Sequence, residues 1–203
     1  MPEEYCGVRP LYGGAISSTF PQRFEDVSIV RQVPPHQEAF ADPARDESLI
    51  FELLDMKYDV ADEGSAMWFL QDLATEQDVE GGMLIEQSGV MEAPGLSYRG
   101  MSAVVTSAIG QMAISKGRQG REAQNLVRVY VANLRLKEVA TDVLITAYEP
   151  VVVNPLSESA NSVGAGVAVP AGQTGSLSMA EVFKLAVSTF KVNDWSLFGN
   201  SAA

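Results

Sequence analysis

The chain has 203 residues, 46% of them hydrophobic and 20% charged, and a formal net charge of −12, which indicates an ordinary globular domain rather than a disordered segment. A single cysteine excludes an internal disulfide, and a single histidine excludes a multi-histidine metal site and argues against a Ser-His-Asp triad. No apolar run approaches the roughly 18 residues of a membrane span, and the acidic N-terminus resembles neither a signal peptide nor a transit peptide, so we expect a soluble intracellular protein.

The N-terminal quarter is predicted to contain a bend, a loop and a buried strand. The glycine pair within residues 11–16 predicts a bend at the start of a strand. Pro34 and Pro35 predict an exposed, extended loop over residues 31–37, stiffened because each proline fixes its own φ. The apolar run 48–56 fits either a strand or a short helix, and its shortness and its β-branched and aromatic pair favour a strand.

The middle of the chain is predicted to add one helix and four strands. Residues 62–75 carry apolar side chains at helical spacing behind two acids that complement the helix dipole. Strands are predicted to open at Gly82 and to cover 99–115, 125–136 and 142–149. The last two are joined by residues 137–141, a connection of hairpin length, so we expect them to be antiparallel neighbours.

The C-terminal part is predicted to hold a long loop, a helix and an anchor. Residues 154–176 are mostly Ser, Gly, Ala and Pro with hardly a charge, which predicts a long mobile loop, and its glycines lack the spacing of a dinucleotide fingerprint. Ser178 and Glu181 form a capping box that opens the clearest helix. The apolar tail 195–198 is expected to fold back onto the body. Together these elements predict one α+β domain over residues 1–203, with helices laid on an antiparallel β-sheet.

The sequence contains few candidates for catalytic residues. The sequence contains no phosphate-binding loop, no H-E-x-x-H pair and no G-x-S-x-G elbow, so we expect no cofactor, no metal and no catalytic site. His36 is interpreted as an exposed loop histidine rather than an acid or base, and Cys6 as an inert thiol rather than a nucleophile. Hydrolysis catalysed by a pair of carboxylates remains an alternative, because the 26 acidic residues allow many pairs and no motif in the sequence points to one of them.

The charge is divided unevenly along the chain. Residues 1–100 hold 19 acidic and 6 basic side chains, a net charge of −13, whereas residues 101–203 have a net charge of +1. Binding to phosphate backbones needs clustered Lys and Arg, so a nucleic-acid partner is disfavoured. An acidic field speeds encounter with a basic protein surface, and the alternative is that the excess charge only keeps the protein soluble.

Two acidic residues of the predicted strand 48–56 are candidates for such a surface. Glu52 shares an otherwise apolar face with Ile50 and Leu54, and Asp55 follows three residues later. The structural alternative is a strand end, an edge or a satisfied buried pair. The functional interpretation is an interface in which acids on a rigid element meet basic groups of a partner. Both can face one partner only if a bulge or the strand end redirects Asp55.

Several motifs follow one another in the order of a known family. They are Leu11-Tyr-Gly-Gly-Ala-Ile16, Asp26-Val-Ser28, Arg31-Gln-Val-Pro34, Gln37-Glu38-Ala-Phe40 and Ser48-Leu-Ile-Phe-Glu-Leu-Leu-Asp55. This series resembles the Mog family of Ran-binding proteins over residues 9–56. The ending Asp194-Trp-Ser-Leu-Phe198 resembles the closing motif of that family.

The resemblance implies a Mog/PsbP-like α/β/α sandwich, binding to the small GTPase Ran, release of its guanine nucleotide and a role in nuclear protein import. It implies that Glu52 and Asp55 bind Ran and that Gln37 and Glu38 belong to a nucleotide-release loop. The chain departs from many members by carrying Pro35 where they have an acid. The implied protein is a monomer of nucleus and cytoplasm that binds no membrane, with a second Ran-binding protein as a further candidate partner.

Three rival functions are kept beside this one. An adaptor or trafficking protein with the same fold would bind a partner other than Ran and release no nucleotide. A photosynthetic lumenal subunit of the PsbP type would need a targeting presequence, whereas Met1 leads almost directly into the predicted domain. An enzyme would turn over a small molecule in a way that depends on an acidic pair.

Overall fold

Alternating apolar and polar residues form the long strands of the computed structural model, which describes residues 4–77, 83–98, 100, 102–115 and 121–199. The strands are β1 Cys6–Leu11, β2 Ile16–Pro21, β3 Glu25–Asp26, β4 Gln37–Asp42, β5 Glu47–Asp55, β6 Leu84–Val90, β7 Val104–Ile114, β8 Asn125–Leu136, β9 Thr141–Val153, β10 Gly166–Val167 and β11 Lys191–Val192. The helices are α1 Ser65–Glu76, α2 Ser159–Val163 and α3 Met179–Ser188.

These strands form two antiparallel sheets. The larger has the strand order β3-β4-β5-β9-β8-β7-β6, with β10 paired to the end of β9. The smaller has the order β1-β2-β11. Strands β8 and β9 are hairpin neighbours through the short turn Lys137–Val139, which confirms the antiparallel pairing predicted from the length of their connection.

Two hydrophobic clusters lie on the two faces of the larger sheet. The first, beneath α3 and the smaller sheet, includes Phe20, Phe51, Tyr130, Ile145 and Phe183. The second, beneath α1, includes Leu70, Ala108, Val129, Val131 and Leu144. The alternation in β9 puts Ile145 in one cluster and Leu144 in the other, as its sequence pattern predicts. The fold is therefore α+β, with helices on both faces of an antiparallel sheet.

Most predicted elements occur where the sequence indicates. Strand β8 has the predicted bounds, β5 confirms the strand interpretation of the run 48–56, and α3 begins at the predicted capping box. The 3₁₀ turn Trp195–Phe198 packs against the first cluster and confirms the C-terminal anchor. Helix α1 starts three residues later than predicted, after a 3₁₀ turn at Asp62–Gly64.

Strands β6 and β7 both begin later in the chain than the predicted starts at Gly82 and residue 99. Strand β6 begins at Leu84, and Gly82 lies outside the described residues. Strand β7 begins at Val104, five residues after the predicted start, and Arg99 is likewise outside the described residues. Within the described ranges no helix is long and apolar enough to cross a membrane.

Residues 154–176, predicted as a mobile loop, contain helix α2, strand β10 and a 3₁₀ turn. The guanidinium of Arg45 donates to the carbonyl oxygen of Val169 at 2.9 Å. Ser159 Oγ donates to Asp46 and accepts from Asn125 Nδ2 at 3.1 Å. The segment is therefore fastened to the turn between β4 and β5, and its mobility stays a prediction.

Candidate functional site

The four predicted site residues lie at one end of the larger sheet. Strands β4 and β5 are antiparallel, so the first residues of β4 lie beside the last residues of β5. Gln37 is the register partner of Glu52, and Glu38 is the register partner of Phe51. Asp55 ends β5, about 10 Å beyond Glu52 along the strand. The structure therefore brings all four to one end of a rigid sheet.

The placement of Gln37 and Glu38 on a stiff loop is wrong. The exposed loop ends at His36, and both residues belong to β4 and are half-buried. The reason is that proline stiffening ends at Pro35, after which the backbone joins the ladder with β5. The carboxylate of Glu38 accepts a hydrogen bond of 2.8 Å from the backbone N–H of Tyr12, so this acid is held in one orientation.

The turn between β1 and β2 makes that contact possible. Tyr12, Gly13 and Gly14 have φ angles of 50°, 68° and 94°, all in the left-handed region that favours glycine. This confirms the bend predicted from the glycine pair. It also explains the Leu-Tyr-Gly-Gly-Ala motif in physical terms, because the turn presents the N–H of Tyr12 to Glu38.

The side chain of Tyr12 fastens the start of β4 as well. Its Oη lies 3.0 Å from the carbonyl oxygen of His36 and 3.1 Å from that of Phe51, and the hydroxyl donates to them. The N–H of Leu53 also donates to the carbonyl of His36, at 2.9 Å. Burial, followed by the charges of Glu38 and Glu52, raises the pKa of Tyr12 well above its usual range, so the hydroxyl stays a donor. Sequence reasoning did not single out Tyr12, and the adjacent glycine pair was the available signal.

Glu52 is half-buried on the face of the sheet that α1 also covers. Burial raises the pKa of its carboxyl group, and the nearby charge of Glu76 at the end of α1 adds to this. A hydrogen bond with Gln37 and the proximity of His36 oppose the rise. Glu52 is therefore an acid that the fold holds at an electrostatic cost beside a second acid, a typical property of a functional group.

Asp55 is exposed and does not share a face of β5 with Glu52. The pairing of β5 with β9 runs without a register shift from Ser48 to Asp55, so no bulge redirects Asp55. The backbone N–H of Met56, the next residue, donates to the carbonyl of Ala140 at 3.0 Å. A partner that contacts both acids must therefore wrap around the end of the sheet rather than lie flat on one face.

A cleft of about 410 Å³ opens on the face that carries Glu52. Its walls include Ile50 of β5, Tyr148 of β9 and Gln77 at the end of α1. Burial first, then the charges of Glu52 and Glu76, raise the pKa of Tyr148 above its usual range. The cleft is therefore a concave, partly apolar surface, and Glu52 and Glu76 lie near enough to act on one of its walls. Sequence reasoning missed it, because its walls are residues far apart in the chain.

Two exposed apolar residues stand close to this cleft in sequence. Arg31 lines the cleft, and the preceding Ile29 and Val30 are 78% and 81% exposed. Exposed apolar side chains beside a concave surface are typical of protein-binding sites. The structure thus offers contact area beyond the predicted acids.

The described residues do not offer a metal site or a reactive thiol. Among them, no group of three or more His, Cys, Asp and Glu side chains is placed to hold a metal ion. His36 is exposed, as predicted. Burial raises the pKa of the Cys6 thiol, which disfavours the reactive thiolate. This end of the sheet presents carboxylates, an amide and hydroxyl groups.

Comparisons with known proteins give a consistent result. The family model described as Ran-interacting Mog1 protein matches residues 9–150. The Ran guanine nucleotide release factor of Danio rerio is 37% identical over 157 residues, covering 75% of this chain and 82% of that protein. A probable ran guanine nucleotide release factor of Dictyostelium discoideum is 30% identical over 198 residues, covering 94% and 95%. The crystal structure of the Ran-binding protein Mog1p of Saccharomyces cerevisiae has the same fold, with a TM-score of 0.65, 22% identity and coverage of 97% of this chain and 100% of that chain.

Proposed function

Because the chain belongs to the Ran-interacting Mog1 family, we propose that it binds the small GTPase Ran and promotes release of the guanine nucleotide that Ran holds. The proposed role is regulatory, in nuclear protein import, with the protein present in nucleus and cytoplasm. Relatives from two yeasts are described as nuclear import proteins, which supports the role. We propose that the chain acts as a monomer and changes no covalent bond.

The observation that carries this proposal is the pair of orientated acids at one end of the sheet. Glu38 is held by the N–H of Tyr12, and Glu52 is held beside Gln37. Acids on a rigid scaffold meet basic groups of a partner without the entropy cost that a loop imposes. The net charge of −12 adds a long-range attraction to a basic partner surface.

Glu52 supplies recognition in this proposal. The burial that raises the pKa of its carboxyl group makes the ionised form costly in the free protein. A Lys or Arg of Ran placed beside Glu52 removes that cost, since an opposite charge favours the ionised form. Part of the binding energy is therefore relief of an unfavourable state that the fold maintains.

Glu38 supplies release. Its carboxylate competes for the groups of Ran that hold phosphate or magnesium, so binding of this protein and binding of nucleotide oppose each other. A release factor needs only to bind the nucleotide-free state more tightly than the loaded state, which is a coupling free energy between two ligands of Ran. By the same reciprocity, nucleotide in excess displaces the release factor from Ran.

The test is a release assay with Ran loaded with a fluorescent guanine nucleotide. Addition of the wild-type protein with excess unlabelled GTP is expected to accelerate the fall in signal. Glu38→Gln keeps an oxygen that accepts from Tyr12 but loses the charge, so we expect about tenfold slower release with binding retained, or about 1.4 kcal/mol. Glu52→Lys is expected to abolish binding.

A charge-matched control separates site effects from net charge. Glu122 is exposed in the turn before β8. The other end of β8, at Leu136, pairs with Thr141 of β9, which is also the register partner of Asp55. Glu122 therefore lies at the opposite end of β8 from Asp55. Glu122→Lys changes the net charge as Glu52→Lys does and is expected to leave binding and release nearly unchanged. Unchanged nucleotide signal with the wild-type protein, together with no measurable binding of Ran, would favour the adaptor instead.

A further inference from the structure

The loop of residues 56–61 that follows Asp55 is held from beneath by a buried arginine. Arg135 of β8 is 2% exposed, and its guanidinium donates to the carbonyl oxygens of Lys57 and Val60. The same group donates to Asp142 Oδ1 at 3.0 Å, and Asp142 Oδ2 accepts from the backbone N–H of Lys57 at 2.9 Å. The Arg135–Asp142 ion pair thus binds one backbone N–H and two backbone carbonyl groups of the loop.

Further contacts fix both ends of the 56–61 loop. The N–H of Met56 donates to the carbonyl of Ala140, and Asp62, the first residue after the loop, pairs with Arg135 at 3.1 Å. The ammonium of Lys57 lies 4.9 Å from the ring centroid of Trp68 on α1. These contacts come from three elements, so the backbone of the loop is held in one conformation.

The 56–61 loop presents an aromatic side chain between two acids. Tyr58 is 73% exposed, and Asp55 and Asp59 are exposed on either side of it in sequence. Tyr58, Met56 and Val60 also line a cleft of about 490 Å³ beside the loop. Tyrosine on a fixed backbone is a common anchor of protein interfaces, because it buries a large area at a low entropy cost.

We propose that the 56–61 loop is a second part of the docking surface for Ran, with Tyr58 as its apolar anchor and Asp55 and Asp59 facing basic side chains, and that Arg135 is its positioning residue. The inference rests on the proposed function. Charge favours this occupant, since the N-terminal half of the chain has a net charge of −13 and the loop places one acid, Asp59, near Asp55, while its Lys57 lies over the ring of Trp68. It also gives Asp55 a role that needs no shared face with Glu52.

The test measures Ran binding by the full chain carrying surface substitutions. Tyr58→Ala and Asp59→Lys alter exposed side chains, so we expect each to weaken binding about tenfold with an unchanged melting temperature. The loss from Asp59→Lys is expected to shrink between about 50 mM and about 300 mM salt, as screening predicts. Tyr5→Ala, at 74% exposure one residue before the edge strand β1, and Glu122→Lys are matched controls with no expected loss.

Arg135→Lys tests the positioning role. It keeps the buried charge but cannot donate to Lys57, Val60 and Asp142 together. If Arg135 acts through the loop, Tyr58→Ala in the Arg135→Lys background is expected to weaken Ran binding less than about threefold. If Arg135 is merely structural, Tyr58→Ala is expected to weaken Ran binding about tenfold in this background too. That undiminished loss would overturn the positioning role.

The outcomes separate this inference from the proposed function. Full Ran binding by Tyr58→Ala and Asp59→Lys, together with loss of binding by Glu52→Lys, would overturn the docking role of the loop and leave the proposed function standing. A wild-type protein that does not bind Ran would overturn both.

Discussion

The turn between β1 and β2 allows a prediction whose magnitude follows from its geometry. Gly13 has φ 68° and ψ 18°, and a Cβ built on it meets no atom within 4 Å. Gly13→Ala therefore costs conformational energy without a clash. The left-handed conformation costs an alanine about 1–2 kcal/mol, and the reduced entropy of the unfolded chain returns about 0.4–1 kcal/mol. The expected net loss of stability is about 1 kcal/mol, or about 2–4 °C in melting temperature for a chain of this size.

The assay is urea or thermal unfolding of Gly13→Ala beside a matched control. Gly64 also has open space around a built Cβ, but its φ of −105° suits an L-residue, so Gly64→Ala is expected to leave stability unchanged or raised. Since the turn presents Tyr12 to Glu38, Gly13→Ala is also expected to slow nucleotide release by Ran. A Gly13→Ala protein as stable as Gly64→Ala would refute the assignment of the turn as the constraint on Tyr12.

Two other predictions concern buried charge. Burial raises the pKa of Glu52 above its unfolded value, so ionised Glu52 lowers stability at neutral pH, and the penalty disappears as pH falls through the folded pKa toward about 4.3. Glu52→Gln is therefore expected to be more stable than wild type in urea at pH 7, and this difference in stability is expected to vanish at about pH 4.3. Equal urea midpoints for the two proteins at pH 7 would contradict this. Arg23 pairs with Asp42 at 2.7 Å and with the buried Glu47, so Arg23→Met is expected to lose about 3–5 kcal/mol, and a loss below about 1 kcal/mol would show that the network contributes little.

Elements with a strong local signal could be predicted from the sequence. The alternating valines of β8 gave its bounds, and the hydroxyl and carboxylate of Ser178 and Glu181 gave the start of α3. Strand β9 continues to Val153, beyond the predicted end, where it pairs with β10 in the segment expected to be a loop. Local pattern does not reveal such a pairing, because its partners are separated by residues that carry no periodicity.

The acids of the candidate site could be proposed from the sequence, but the contacts around them could not. Glu52 stood out because a charged residue on an apolar strand face is unusual. The contact of Glu38 with Tyr12 joins residues 26 apart in sequence, and the bonds from Arg135 to the 56–61 loop join residues 75 and 78 apart. These contacts depend on how the strands are ordered in the sheets. The same is true of the opposite faces of Glu52 and Asp55, which only a regular register with β9 establishes.

The central claim is that carboxylates at one end of a rigid β-sheet recognise a basic surface of Ran. Its most direct test is the dissociation constant for Ran of wild type, Glu52→Lys and Glu122→Lys at low and at high salt. The account predicts tight binding by wild type and Glu122→Lys that weakens as salt rises, and no measurable binding by Glu52→Lys with its fold intact. Binding that is equally tight at both salt concentrations and unaffected by Glu52→Lys would contradict it.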